Sequence, residues 1–346
     1  MTTMKTNTIH LNRMVWLILA MAIGTLPAMT QSKVGTTAGQ FLGISVGPRA
    51  ISMGGAYVAN SNDATTLYWN PGAFAQAAKS QIAFSNTNWI AGTTFRWAGA
   101  MFNLDGENAV GVSFTQLDYG EEEVTTVANP DGTGERWAAQ DFAVGVSYSR
   151  RLTDRFSMGG SVKYVSQSIW NESASTITFD LGLLFVTGFN DMRLGVSMSN
   201  FGGDLKLDGR DLLNRVDIDP GNSGSNKDLV ATLKTDSWPT PLLFRVGVAM
   251  DVVKNDEFTV TLAADALRPS DNVETLNLGG EVAWNDMVFL RGGYKSLFGE
   301  EVQEGLSLGA GLKYKAEGLA QIEFNYSFSK FGLFGNLNTI AVAIGF

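Results

Sequence analysis

Asn338-Thr339-Ile340-Ala341-Val342-Ala343-Ile344-Gly345-Phe346 is the stretch that decides the fold of this chain. Successive side chains of a strand point to opposite sides, so Ile340, Val342, Ile344 and Phe346 share one face. Thr339, Ala341, Ala343 and Gly345 share the other. One face is wholly apolar and the other is small. Such a strand suits a wall with lipid on one side and a protein or aqueous interior on the other. In hydrocarbon every backbone N–H and C=O needs a partner inside the protein, and a closed barrel provides one without leaving an edge.

Working back from this segment, the same alternation recurs near 80–89, 95–104, 108–118, 140–150, 156–168, 175–187, 192–199, 242–251, 257–266, 274–284, 287–295, 305–314 and 319–328, which with 338–346 makes fourteen segments. Phe142, Val144, Val146 and Tyr148 oppose Ala143, Gly145, Ser147 and Ser149, and Ile322, Phe324, Tyr326 and Phe328 oppose Gln321, Glu323, Asn325 and Ser327. A soluble sandwich would alternate too, so the connections carry the distinction. Every second connection is short: 105–107, 151–155, 188–191, 252–256, 285–286 and 315–318. The others are longer, and 119–139 and 200–241 are much longer. Tight periplasmic turns and extended outer loops are the asymmetry of bacterial outer-membrane barrels. Tyr148, Trp284, Tyr314 and Phe346 would then sit in the periplasmic aromatic girdle, with Tyr164 and Tyr294 near the opposite rim. The expectation is an all-β fold: a fourteen-stranded antiparallel transmembrane β-barrel over residues 80–346.

Fourteen tilted strands close into a cylinder roughly 28 Å across, wider than inward side chains can fill. The lumen must be wet or blocked, and residues 31–79, which lack barrel periodicity, are the expected N-terminal luminal plug. Before them, residues 1–30 read as a signal peptide: Lys5 and Arg13 precede a thirteen-residue apolar run, 14–26, which is too short to span a bilayer as a helix. The chain has no cysteine, and its one histidine, His10, lies in that leader. Thiolate chemistry, disulfides and a lipidated cysteine are excluded. The formal net charge of −9 argues against nucleic acid as a partner.

Within 31–79, residues 50–59 and 63–78 are compatible with helix. Gly54-Gly55 interrupts the first, Asp63 is placed to cap the second, and Pro71 ends or restarts it. Here the chain resembles a known family. Gly39-Gln40-Phe41-Leu42, Val46-Gly47-Pro48-Arg49-Ala50, Met53-Gly54-Gly55-Ala56-Tyr57-Val58-Ala59, Asp63-Ala64 and Leu67-Tyr68-Trp69-Asn70-Pro71-Gly72 look like the opening motif of the PorV/PorQ family. That family is similar to the FadL-type fatty-acid channels, which also have fourteen strands and an Asn-Pro element in a luminal N-terminal domain. Pro48, where alanine is expected, and the order Gly72-Ala73 depart from the usual pattern. The resemblance implies a FadL-like barrel in the bacterial outer membrane with one of two jobs. The first is an accessory role in type IX protein secretion, with the translocon and secreted cargo as partners. The second is passage of a hydrophobic ligand. It also marks Gly47, Arg49, Met53, Gly54, Gly55, Asn70 and Pro71 as plug-motif residues; separately, Phe346, a terminal Phe closing an amphipathic strand, resembles the signal read by the barrel assembly machinery.

Gly43-Ile44-Ser45-Val46-Gly47 matches the G-x-S-x-G pattern of serine hydrolases, but the mature chain has no histidine to serve as base. No cofactor or metal is expected, and no enzyme. Charged residues on the small-residue faces are Arg96, Asp141, Lys163, Asp180, Arg193, Arg245, Asp265, Glu281, Arg291, Lys313 and Glu323. Alternation points them into the lumen. Arg96, Asp180, Arg245, Glu281, Arg291 and Glu323 are singled out as lumen charges that either pair within a solvated wall or latch the plug. Arg49 is the sharpest candidate for tying plug to wall. Asp217, Asp219, Asn222, Asn226 and Asp228 offer oxygens in the 200–241 loop without the spacing of a calcium loop. Leu205, Leu207, Leu212 and Leu213 make that loop the expected lid or docking surface.

Overall fold

The computed structural model describes residues 33–60, 63–77, 79–222, 228–299, 303–315 and 320–346. The proposed leader lies outside them. Fourteen strands form the wall: β1 (Gln81–Asn88), β2 (Thr94–Asn103), β3 (Asn108–Glu123), β4 (Arg136–Thr153), β5 (Phe156–Ile169), β6 (Glu172–Val186), β7 (Arg193–Gly202), β8 (Leu243–Lys254), β9 (Phe258–Pro269), β10 (Thr275–Trp284), β11 (Val288–Leu297), β12 (Glu304–Lys315), β13 (Gln321–Phe331) and β14 (Asn336–Gly345). Each pairs antiparallel with the next along the chain, and β14 closes on β1 with Gln81 opposite Gly345 and Asn88 opposite Asn338. No edge of the wall is left open, which is what a lipid environment requires.

The two faces separate as the alternation dictates. On β14, Leu337, Thr339 and Ala343 are buried, whereas Ile340 and Ile344, like Phe346 just after the strand, are exposed. On β4, Ala143, Ser147 and Ser149 are buried, and Val144, Val146 and Tyr148 face out. Exposed Val, Leu, Ile and Phe on strand after strand form a continuous apolar belt that water would disfavour and lipid accepts. This is an outer-membrane barrel.

The short turns are built from local polar groups. Asp105 Oδ1 accepts hydrogen bonds from the Glu107 and Asn108 backbone N–H groups at 2.9 and 2.6 Å, so its own side chain closes the β2–β3 turn. The outer loops hold more order than the sequence reading anticipates. β3 and β4 continue past the membrane into what was expected to be the 119–139 loop, with Glu123 opposite Arg136. The 200–241 excursion contains two small hairpins, Leu213–Val216 with Leu229–Thr232 and Asp204–Lys206 with Ser237–Pro239, while Asp208–Gly209 adds to β6.

Residues 38–60 and 63–77 pack against inward positions of the wall. Their helices are shorter than expected: α1 is Pro48–Ser52 and α2 is Thr66–Trp69. Gly54 and Gly55 adopt φ of 65° and 76°, which stops α1 early. Asp63 caps the turn that leads into α2, as its position suggests. Its Oδ1 accepts from Thr65 N at 2.9 Å, ahead of the helix, and its backbone carbonyl accepts from Thr66 N. Phe41, Leu42, Val46, Leu67 and Phe74 pack against inward Phe95, Trp97, Met101 and Val165. An apolar core thus occupies part of the lumen.

Candidate functional site

Gly47, with φ of 80°, turns the chain into α1, where proline is favoured in the first turn and Arg49 follows it. From there the Arg49 guanidinium reaches β10. Its Nε and Nη2 donate to the two oxygens of Glu281 at 2.8 and 2.7 Å. Arg291 on β11, the register partner of Glu281, donates to the same carboxylate at 2.5 Å and to Asn325 at 2.7 Å. Asp63 lies 3.4 Å from Arg49 and accepts from the Tyr57 hydroxyl at 2.5 Å. Burial opposes the Arg49 charge, but Glu281 outweighs it, and the pKa of the guanidinium stays above its ordinary value. A fork-to-carboxylate contact of this kind is strong and fixes direction.

The other motif residues meet the wall through backbone. Gly54 N donates to Ser307 Oγ at 3.2 Å, and a Cβ there would lie 2.7 Å from the Tyr294 backbone. The Met53 carbonyl packs so closely on Gly279 and Gly293 that no side chain fits at either. Gly55 lies beside Asn277 and Trp69. Asn70 donates to the Val58 and Leu183 carbonyls, each at 2.9 Å, and its Oδ1 accepts from Gly72 N at 3.0 Å. The Pro71 carbonyl fills the space that a side chain on Gly159 would need. These inward glycines are functional in packing terms. Sequence reading saw them only as the small side of an alternation.

The singled-out lumen charges divide into two groups. Glu281, Arg291 and Arg245 face the N-terminal segment, the last lying 5.5 and 5.2 Å from the Tyr68 and Trp69 rings. Arg96, Asp180 and Glu323 pair within the wall, with Asp118 at 3.2 Å, Lys163 at 2.8 Å and Lys313 at 3.7 Å respectively. Asp265, not singled out, also holds the segment: its Oδ2 accepts from Tyr57 N and Val58 N at 2.7 and 2.8 Å. Ser45 of the G-x-S-x-G stretch accepts from Lys295 at 3.1 Å, and that lysine pairs with Glu304. Phe346 points outward, its N–H donating to Ser80 O at 3.0 Å.

A polar cavity of about 530 Å³ opens beneath the segment, where Arg49, Asp63, Arg291, Lys313 and Glu323 converge. At the opposite, extracellular mouth, an apolar vestibule of about 370 Å³ lies among Tyr119, Trp137, Ile169 and Leu207, with Asp141 at its floor. The 200–241 excursion is not uniformly a surface. Leu205 is 2% exposed and packs into the luminal core, so the expectation of an exposed docking leucine fails there. Leu213 is exposed. Among the described residues no acidic group forms a metal-binding cluster, and Asn226 lies outside them.

Comparison with known proteins adds sequence and fold relationships. The family model described as type IX secretion system protein PorV matches residues 27–217. No curated protein matches. Among solved structures, the CymD monoaromatic hydrocarbon channel has a TM-score of 0.55 at 15% identity, over 87% of this chain and 96% of its own. The Ralstonia pickettii toluene transporter TbuX has a TM-score of 0.53 at 14% identity, over 87% and 97%. A Pseudomonas aeruginosa FadL homologue has a TM-score of 0.51 at 13% identity, over 92% and 99%. At such identities the likeness is one of fold.

Proposed function

This chain belongs to the PorV family of type IX secretion system proteins, and on that premise we propose that it is an outer-membrane accessory of type IX secretion. In this reading its extracellular loops hold secreted cargo or the translocon during surface attachment, while residues 34–77 plug the lumen and keep the membrane sealed. The family match over residues 27–217 carries the reading, since it spans both the N-terminal segment and the first seven strands. Arg49 on Glu281 supports it, because a buried two-point ion pair is suited to holding a plug in place.

Deletion tests it directly. Cells lacking the protein should retain type IX cargo in the periplasm, and tagged protein should co-purify with cargo or with a large translocon. Normal surface display in the deletion strain would sink the reading.

The vestibule favours a second reading, passage of a small hydrophobic solute. The fold is shared with proteins described as hydrocarbon channels and toluene transporters. Here the plug would rearrange to let solute through. Uptake of a labelled aromatic hydrocarbon, lost on deletion while cargo display persists, would select this alternative.

A further inference from the structure

We propose that the extracellular vestibule binds a small apolar ligand carrying one ammonium group, with Asp141 as its counter-ion. The proposal rests on the solute reading of the vestibule and is independent of the secretion role.

The inference starts from a missing cation. A charge taken out of water is costly unless it meets an opposite charge or a full set of hydrogen bonds. Most buried carboxylates of the lumen meet a cation or the plug: Glu281 meets Arg49 and Arg291, Asp180 meets Lys163 and Asp251 meets Arg193, while Asp265 accepts from the Tyr57 and Val58 N–H groups and Asp271 from Thr37 and Gln40. Asp141 is 4% exposed and meets none of the described cations. Its hydrogen bonds, from the Tyr119 hydroxyl at 2.9 Å and the Gln167 amide at 3.0 Å, both fall on Oδ2. No described residue donates to Oδ1.

The space beside that carboxylate has a definite chemistry. The cavity of about 370 Å³ falls within the range of small-molecule sites. No lysine or arginine lines it, and Glu122 adds a second acidic group. An anionic ligand would therefore meet like charge. A neutral one would leave the Asp141 charge uncompensated. An ammonium on an apolar body would pair with Oδ1 and place its cation near the rings of Tyr119 and Trp137, whose faces attract positive charge. Ile169 and Leu207 offer apolar surface for the remainder.

The test compares 2-phenylethylamine with its neutral counterpart 2-phenylethanol by calorimetry, using the full mature protein in lipid nanodiscs free of detergent. The amine should bind at least tenfold more tightly at neutral pH. Asp141→Asn, shown to be folded by its migration as a closed barrel on unheated gels, should bind both alike, at the level of the alcohol. Equal affinity of wild type for the two would overturn the ammonium assignment and leave the solute reading intact. Failure of both to bind would overturn both. The wild-type comparison stands even if the variant does not insert.

Discussion

Residues 34–77 and the 200–241 excursion both lack barrel periodicity and both are rich in glycine, yet they meet the same wall in opposite ways. The first is buried along most of its length, held by Arg49 on Glu281, by Asp265 on two backbone N–H groups and by Asn70 on the Leu183 carbonyl. The second exposes every residue of its Leu213–Val216 and Leu229–Thr232 strands. It touches the luminal core chiefly through Leu205 and Leu207. The difference teaches that glycine alone does not tell a buried segment from an exposed one: Gly54 and Gly72 meet wall backbone, but so do Gly202 and Gly209 of the excursion. What separates them is whether side chains and backbone N–H groups of the segment meet strand positions of the wall, as Arg49, Tyr57 and Asn70 do, whereas the two exposed hairpin strands are bonded to each other.

Four substitutions would break or sharpen this contrast. Arg49→Ala should have the largest effect, about 3–5 kcal/mol, because it leaves Glu281 and Arg291 as an incomplete buried cluster. Protease cleavage within 34–77 and raised single-channel conductance would report it, and unchanged resistance and conductance would refute the latch. Leu205→Ala should cost about 2–4 kcal/mol, an effect of core size from a loop residue, read from the temperature of the heat-induced gel shift. Gly54→Ala should cost about 1–3 kcal/mol, since the added methyl meets the Tyr294 backbone, and it should loosen the segment without opening the wall. Val230→Ser in the exposed hairpin should shift barrel stability by no more than about 0.5 kcal/mol. If it impairs cargo display at unchanged stability, the excursion is a contact surface.

The wall was legible in the sequence because lipid forces every strand to alternate. Each of the fourteen segments has its observed counterpart, as in 156–168 against Phe156–Ile169. Where lipid ends, legibility ends. The extensions of β3 and β4 carry Glu121, Glu122, Glu123 and Arg136, whose pairing across the strands is a matter of register rather than of apolar pattern. Alternation placed both Glu281 and Arg291 in the lumen, but that they face each other is a matter of the β10–β11 register. That Arg49 would reach the same carboxylate depended on where α1 comes to rest, which no local pattern encodes. Leu205 looked like a surface leucine because it packs with core residues distant from it in sequence, among them those of the N-terminal segment.

The absence of cysteine makes the central claim directly measurable. Ser307 on β12 donates to the Ser52 carbonyl of α1 at 3.3 Å, so Ser52→Cys combined with Ser307→Cys introduces the chain's only two mature thiols at a contact between segment and wall. Both positions are buried, so in intact cells neither thiol should react with a membrane-impermeant maleimide, and both should react once the barrel is heat-denatured. Labelling of both thiols by that maleimide in intact cells would contradict the account.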